Sequence, residues 1–140
     1  MAEVVCLDAG PLVALMDHRE THHAWAKAAF DRLRLPLPTC QAVITETCFL
    51  LRDQPMPLAA FRRHVQEGHF VDALDFGRLA PRVMELMERY ANVPMSFADA
   101  CLVALAESTP AARLFTLDRD FLIYRQREDQ PLALLAPFAP

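Results

Sequence analysis

Lysine is almost missing from this chain of 140 residues: Lys27 stands alone beside thirteen arginines. A phospho-receiver domain would want a lysine late in the chain near its acids, so that class is disfavoured. No Cys-x-x-Cys pair occurs among Cys6, Cys40, Cys48 and Cys101, and each lies in an apolar context. They are expected to be small, reduced core residues rather than a disulfide or zinc framework. No apolar run approaches the ~20 residues of a membrane span. Met1-Ala2-Glu3 is no basic leader, and Asp8 interrupts the first apolar stretch, so no secretory signal is expected and the cytoplasm is the expected location. A net charge of −4 gives no licence to infer nucleic-acid binding from charge. Arginine is nevertheless the cation suited to bidentate phosphate contacts. There is no internal repeat and no low-complexity tract.

What is present is a hydrophobic content of 54%, enough for a real core in one domain over residues 1–140. Val4–Leu7 reads as a short buried strand ended by Gly10-Pro11. A helix is expected over Thr21–Arg34 with Thr21 as its cap, then a break at Pro36 and Pro38. Helices over Thr39–Arg52 and Leu58–Gly68 flank the loop Asp53-Gln54-Pro55-Met56-Pro57, and Phe70–Leu74 reads as a strand. Leu79, Val83, Leu86, Met87 and Tyr90 recur at helical spacing. Ser96–Glu107 is a further helix, with strands at Arg113–Thr116 and Leu132–Leu135. Alternating strands and helices predict a mostly parallel sheet covered on both faces.

The acids are placed unusually. Asp8 is the only charged residue between Glu3 and Asp17, and Asp99 the only one from Phe97 to Ala106. An unpaired carboxylate in apolar surroundings is costly, and the chain has few cations near either position. Asp118 follows the strand Arg113–Thr116 as Asp8 follows the first strand, and open parallel sheets collect functional residues there. Glu46 lies mid-helix, with Ala42, Val43, Phe49 and Leu50 one turn away. Each acid has a simpler explanation: a cap for Asp8, the Ser96-x-x-Asp99 capping box, an arginine partner for Glu46, turn chemistry for Asp118 and Asp120. None of these explains the set. Hard cations such as Mg²⁺ or Mn²⁺ take all-oxygen sites of this kind.

These segments resemble the PIN-domain ribonucleases, in particular the VapC-type toxins of toxin–antitoxin modules. Asp8-Ala9-Gly10-Pro11-Leu12-Val13-Ala14-Leu15 is similar to the family's opening motif, and Ile44-Thr45-Glu46-Thr47-Cys48-Phe49-Leu50-Leu51 to its helical Glu. Phe97-Ala98-Asp99-Ala100 and Phe115-Thr116-Leu117-Asp118-Arg119-Asp120-Phe121 match the third and fourth motifs, in the right order. The resemblance implies a three-layer α/β/α sandwich with an acidic pocket. It implies Asp8, Glu46, Asp99 and Asp118 as catalytic acids holding Mg²⁺ or Mn²⁺, directly or through water. Thr116 would orient the site and Asp120 would be an outer acid. It further implies hydrolysis of RNA by a metal-activated water, a homodimer, and a cognate antitoxin.

Other readings are weaker. A haloacid-dehalogenase-type phosphatase would want a second Asp where Gly10 stands. A housekeeping RNA-processing nuclease and a non-catalytic RNA- or protein-binding module remain alternatives, the latter at odds with acids gathered against a polyanion. His18, His22 and His23 lack further zinc ligands and read as structural. Arg62-Arg63-His64 reads as a solvated helix face, and Arg119 is a candidate phosphate contact. Trp25 and Phe30 read as core or dimer contacts, Met84 and Met87 as core filling.

Overall fold

The structure is a computed structural model that describes residues 3–138. Six helices cover a mostly parallel sheet. The first strand, β1 (Val4–Leu7), pairs in parallel with β4 (Ala112–Phe115), and β4 pairs in parallel with β7 (Leu134–Leu135). On the other side of β1 runs a second parallel pair, β2 (Leu37–Thr39) and β3 (Phe70–Asp72). Buried Thr39 joins the two, its Oγ1 donating to the Leu7 carbonyl at 2.7 Å. Such sheets need helices on both faces, and β1 is accordingly apolar throughout, with Val5, Cys6 and Leu7 buried.

The helices are α1 (Ala9–Met16), α2 (His23–Asp31), α3 (Gln41–Leu50), α4 (Pro55–Gln66), α5 (Phe76–Arg89) and α6 (Phe97–Glu107). Helix α6 runs through the core, and every residue from Ala100 to Ala106 is buried. Among the described residues no helix is long and apolar enough to cross a membrane.

Several boundaries differ from the sequence reading; Thr39, for one, belongs to β2, and the helix expected over Thr39–Arg52 is Gln41–Leu50. Three further differences have a clear physical reason. Gly10-Pro11 does not end the first strand's unit; it lies in the first turn of α1, where proline's missing N–H has no intrahelical partner to lose. The same rule starts α4 at Pro55, ahead of the expected Leu58. Helix α2 is shorter than Thr21–Arg34, and Thr21 does not cap it: His22 occupies that position without a side-chain cap bond. Its start is fixed by tertiary contact, because the His23 ring Nδ1 bonds the Ala14 carbonyl at 2.7 Å.

Two features were not expected. One is a small antiparallel pair, β5 (Arg125–Gln126) with β6 (Gln130–Pro131). The other is a buried ion-pair clamp between α5 and α6. Arg82 bonds Glu107 at 2.6 and 3.1 Å and Glu85 at 2.6 Å, while Glu107 also accepts from the Arg127 backbone N–H.

Candidate active site

Register decides the centre of the site. Leu7 pairs with Phe115, so the residues that leave the two strands, Asp8 and Thr116, meet although 108 positions apart. The Asp8 N–H donates to the Phe115 carbonyl at 3.0 Å. Its carboxylate accepts from the Ala9 N–H and from the Thr116 hydroxyl, both at 2.7 Å. Asp8 thus caps α1, as the simpler reading held, with one oxygen, while the other accepts from Thr116. It is 6% exposed. Burial pushes its carboxyl up to about 7; the bonds from Thr116 and Ala9 pull the other way, and the Asp99 and Glu46 charges add to the rise.

Thr116 is fully buried and works in both directions, accepting from the Asp118 N–H at 3.0 Å while donating to Asp8. Asp118 is exposed and caps a short 3-10 turn, accepting from the Asp120 N–H at 2.9 Å. Gly10 keeps this loop close: a Cβ there would meet the Leu117 Cβ at 3.3 Å.

Asp99 opens α6, with Ser96 Oγ accepting from its N–H at 3.0 Å as the capping motif predicts. Its carboxylate is occupied elsewhere, accepting from the Tyr124 hydroxyl at 2.9 Å. Burial raises the Asp99 carboxyl, Tyr124 opposes that, and the charges of Asp118 and Asp120 raise it further. Glu46 departs from expectation. Its helix face is apolar, but of its neighbours there only Val43 is buried, with Phe49 59% and Leu50 48% exposed. Glu46 itself is an exposed residue at the rim. Partial burial of its carboxyl raises it, and the charges of Asp99 and Asp118 add to that; no arginine figures among those influences.

Asp8, Glu46 and Asp99 therefore share one mouth of the sheet with Asp118 and Asp120, whose negative charges bear on Glu46 and Asp99. Among the described residues, no three His, Cys, Asp or Glu groups stand close enough together to grip an ion as they are placed. The carboxylates ring an open cup, as like charges do. The donor chemistry nonetheless fits a hard cation, because every group is an oxygen acid and no ammonium or guanidinium figures among the influences on Asp8, Glu46 or Asp99.

Tyr124 is the member that the sequence reading missed. It is fully buried, with its ring edge-on to Tyr90 and Phe121 at 5.2 Å, and only its hydroxyl reaches the cup. The available signal was its position three residues after Phe121 in the last motif. Outside the cup, Arg119 lies over the Phe138 ring at 4.7 Å, and Arg62 and Arg63 are exposed on α4. Trp25 packs edge-on against Phe115 and Phe30 against Phe70, both against the core.

A mostly parallel sheet between helical layers, with carboxylates beyond the ends of β1 and β4, defines an α/β/α protein with an acidic catalytic-type mouth. The family follows from comparison: the PIN-domain profile matches residues 5–126, and the chain belongs to the PIN-domain family, the ribonuclease family its motifs resemble. Its fold is similar to that in the crystal structure of Mycobacterium tuberculosis VapC20, a sarcin-ricin loop cleaving toxin. That match has a TM-score of 0.68 and 20% identity, over 83% of this chain and 91% of that one. No curated protein sequence matches the chain.

Proposed function

We propose that this protein is a Mg²⁺- or Mn²⁺-dependent ribonuclease that hydrolyses RNA phosphodiester bonds, and that it serves as the VapC-type toxin of a toxin–antitoxin pair. The observation that carries this is the group of carboxylates around buried Asp8, in which neighbouring charges oppose the ionisation of Asp8, Glu46 and Asp99. Acids so arranged repel a polyanion on their own, and a divalent cation reconciles them with it.

In this reading Asp8, Glu46, Asp99 and Asp118 hold the ion, and Asp120 supports from outside. When bound, the ion lowers the pKa of a water and offsets charge on a phosphoryl oxygen. The chain's own contribution is orientation. Thr116 holds the Asp8 carboxylate through one oxygen, and Tyr124 does the same for Asp99. Outer hydrogen bonds of this type are worth about 10–100-fold in metal affinity or activity. The proposed partners are an RNA substrate, an antitoxin and a second copy of the chain, in the cytoplasm.

The test is cleavage of a labelled RNA panel that includes a sarcin-ricin hairpin, in Mg²⁺, Mn²⁺ or EDTA, by partner-free protein. Cutting that needs metal and vanishes in Asp99→Asn is the expected result. Cleavage that persists in EDTA or in the variant refutes the assignment of the acids. Binding without cutting on every RNA favours a binding module instead.

A further inference from the structure

Beside the cup, a cleft opens between α3 and the start of α6. It measures about 640 Å³, and its walls include Ala42, Thr45, Glu46, Phe49, Phe97 and Ala98. Glu46 belongs to the cup as well, so the two spaces are continuous at that carboxylate. Among the described residues it is also the one charged group on the cleft's walls. Phe97 is the first residue of α6, two before Asp99, and is 41% exposed. Helix α6 is anchored by the buried run Ala100–Ala106 and capped by Ser96, so neither its packing nor its start calls for an aromatic ring there. Phe97 meets Phe76 edge-on with ring centres 5.6 Å apart, a contact that engages at most one of its faces. The same two rings line an adjoining cleft of about 240 Å³ with Cys40 and Cys101. Just past the end of α3, the exposed Arg52 guanidinium lies 3.9 Å over the Phe49 ring.

We propose that Phe97 and Phe49 form a stacking platform for an unpaired nucleobase next to the bond cut in the cup, with Arg52 receiving a neighbouring phosphate. The proposal rests on the ribonuclease reading and adds how that site holds its RNA. An RNA strand alternates charged phosphates with flat, neutral bases. The cup takes a phosphate through its ion and offers only carboxylates to a base. The cleft is the reverse, with two aromatic walls and no cation to draw a phosphate in. A strand held at the cup passes Glu46, and its adjacent base falls on the cleft. Unstacked bases are bound on aromatic side chains in this way, and guanidinium groups beside them take the backbone. An apolar protein segment would find the same rings, yet would leave unused both the continuity with the cup and the cation at the outer end.

The experiment measures binding of a fluorescein-labelled single-stranded oligoadenylate to the full chain by anisotropy. Ca²⁺, a hard cation for oxygen ligands, replaces Mg²⁺, and a gel checks that the strand stays intact. The same strand is also made with one abasic nucleotide at each position in turn. Phe97→Leu keeps apolar contact without a π face; it is expected to weaken binding about 5- to 100-fold, whereas Phe97→Trp keeps the affinity. One abasic position should cost a similar factor, and combining it with Phe97→Leu should cost little more. Salt dependence should be unchanged in Phe97→Leu and shallower by about one ion in Arg52→Ala.

The abasic series on the unsubstituted chain stands even if Phe97→Leu fails to fold. Undiminished affinity in Phe97→Leu, losses that add fully at every abasic position, or no binding of the intact strand overturns the proposal. So does a Phe97→Leu chain that sediments as a smaller species with its RNA affinity unmoved, which makes this face a contact between copies. The ribonuclease reading is tested separately in Mg²⁺ and Mn²⁺. A chain that shows the Phe97–base coupling but cuts no RNA keeps the platform and loses the catalysis. Cleavage whose KM and kcat Phe97→Leu leaves unchanged keeps the catalysis and loses the platform.

Discussion

Near neutral pH the Asp8 carboxyl is close to its midpoint, because burial lifts it to about 7. Unfolded, the same group titrates near ~3.9. Between those values the native chain holds the proton more firmly than the unfolded chain. This group's contribution to stability is therefore greatest below the window and is lost as pH rises through it. Urea unfolding in chelator is expected to show a decline of up to roughly 4 kcal/mol from Asp8 between pH 4 and 8. Asp8→Asn should flatten that slope and raise stability at pH 8; an unchanged slope would refute the assignment. Added Mg²⁺ should stabilise the unsubstituted chain at pH 8 and the variant far less. Tyr124→Phe keeps the ring against Tyr90 and Phe121 and removes only the bond to Asp99. A loss of about 10–100-fold in Mg²⁺ affinity or cleavage rate is expected, with unfolding almost unmoved. A kinetically silent variant would make that hydroxyl merely structural.

Among the elements, α5 and α6 are clamped by charge as well as by packing. The Arg82 side chain is 8% exposed and that of Glu107 5%, and the pair is bidentate. Removing one partner of such a pair leaves the other charge buried and costs about 3–5 kcal/mol. Arg82→Ala should lower the urea midpoint accordingly, whereas Lys27→Ala, whose partner Asp31 is as exposed as itself, should move it by less than about 1 kcal/mol. Helices with a clear pattern were legible in sequence. Helix α6 followed from Ser96-x-x-Asp99 and an unbroken apolar run. Helix α1 was not, because Gly10-Pro11 reads locally as a stop, and only the Asp8 cap turns it into a start. The β5–β6 pair carries no pattern to read: it is two residues against two.

At the scale of the molecule, the site exists because adjacent parallel strands end together and helices α3 and α6 bring Glu46 and Asp99 to that end. Strand-following acids are visible in one dimension, so Asp8, Asp118 and the Asp99 turn were identifiable as a set. The sequence by itself determined the alternation of strands and helices, the isolation of Asp8 and Asp99 among apolar neighbours, and the order of four acidic motifs. Each of these is a local property of composition and spacing. Only the tertiary structure decided that the Thr116 hydroxyl meets Asp8 across 108 residues and that Tyr124 reaches Asp99. It alone left Glu46 on an open rim rather than under cover, and put Cys40 and Cys101 on one cleft. The physical reason is common to all four. Which side chains face each other depends on strand register and helix packing, and those are set by burying the whole core at once rather than by any short run of residues.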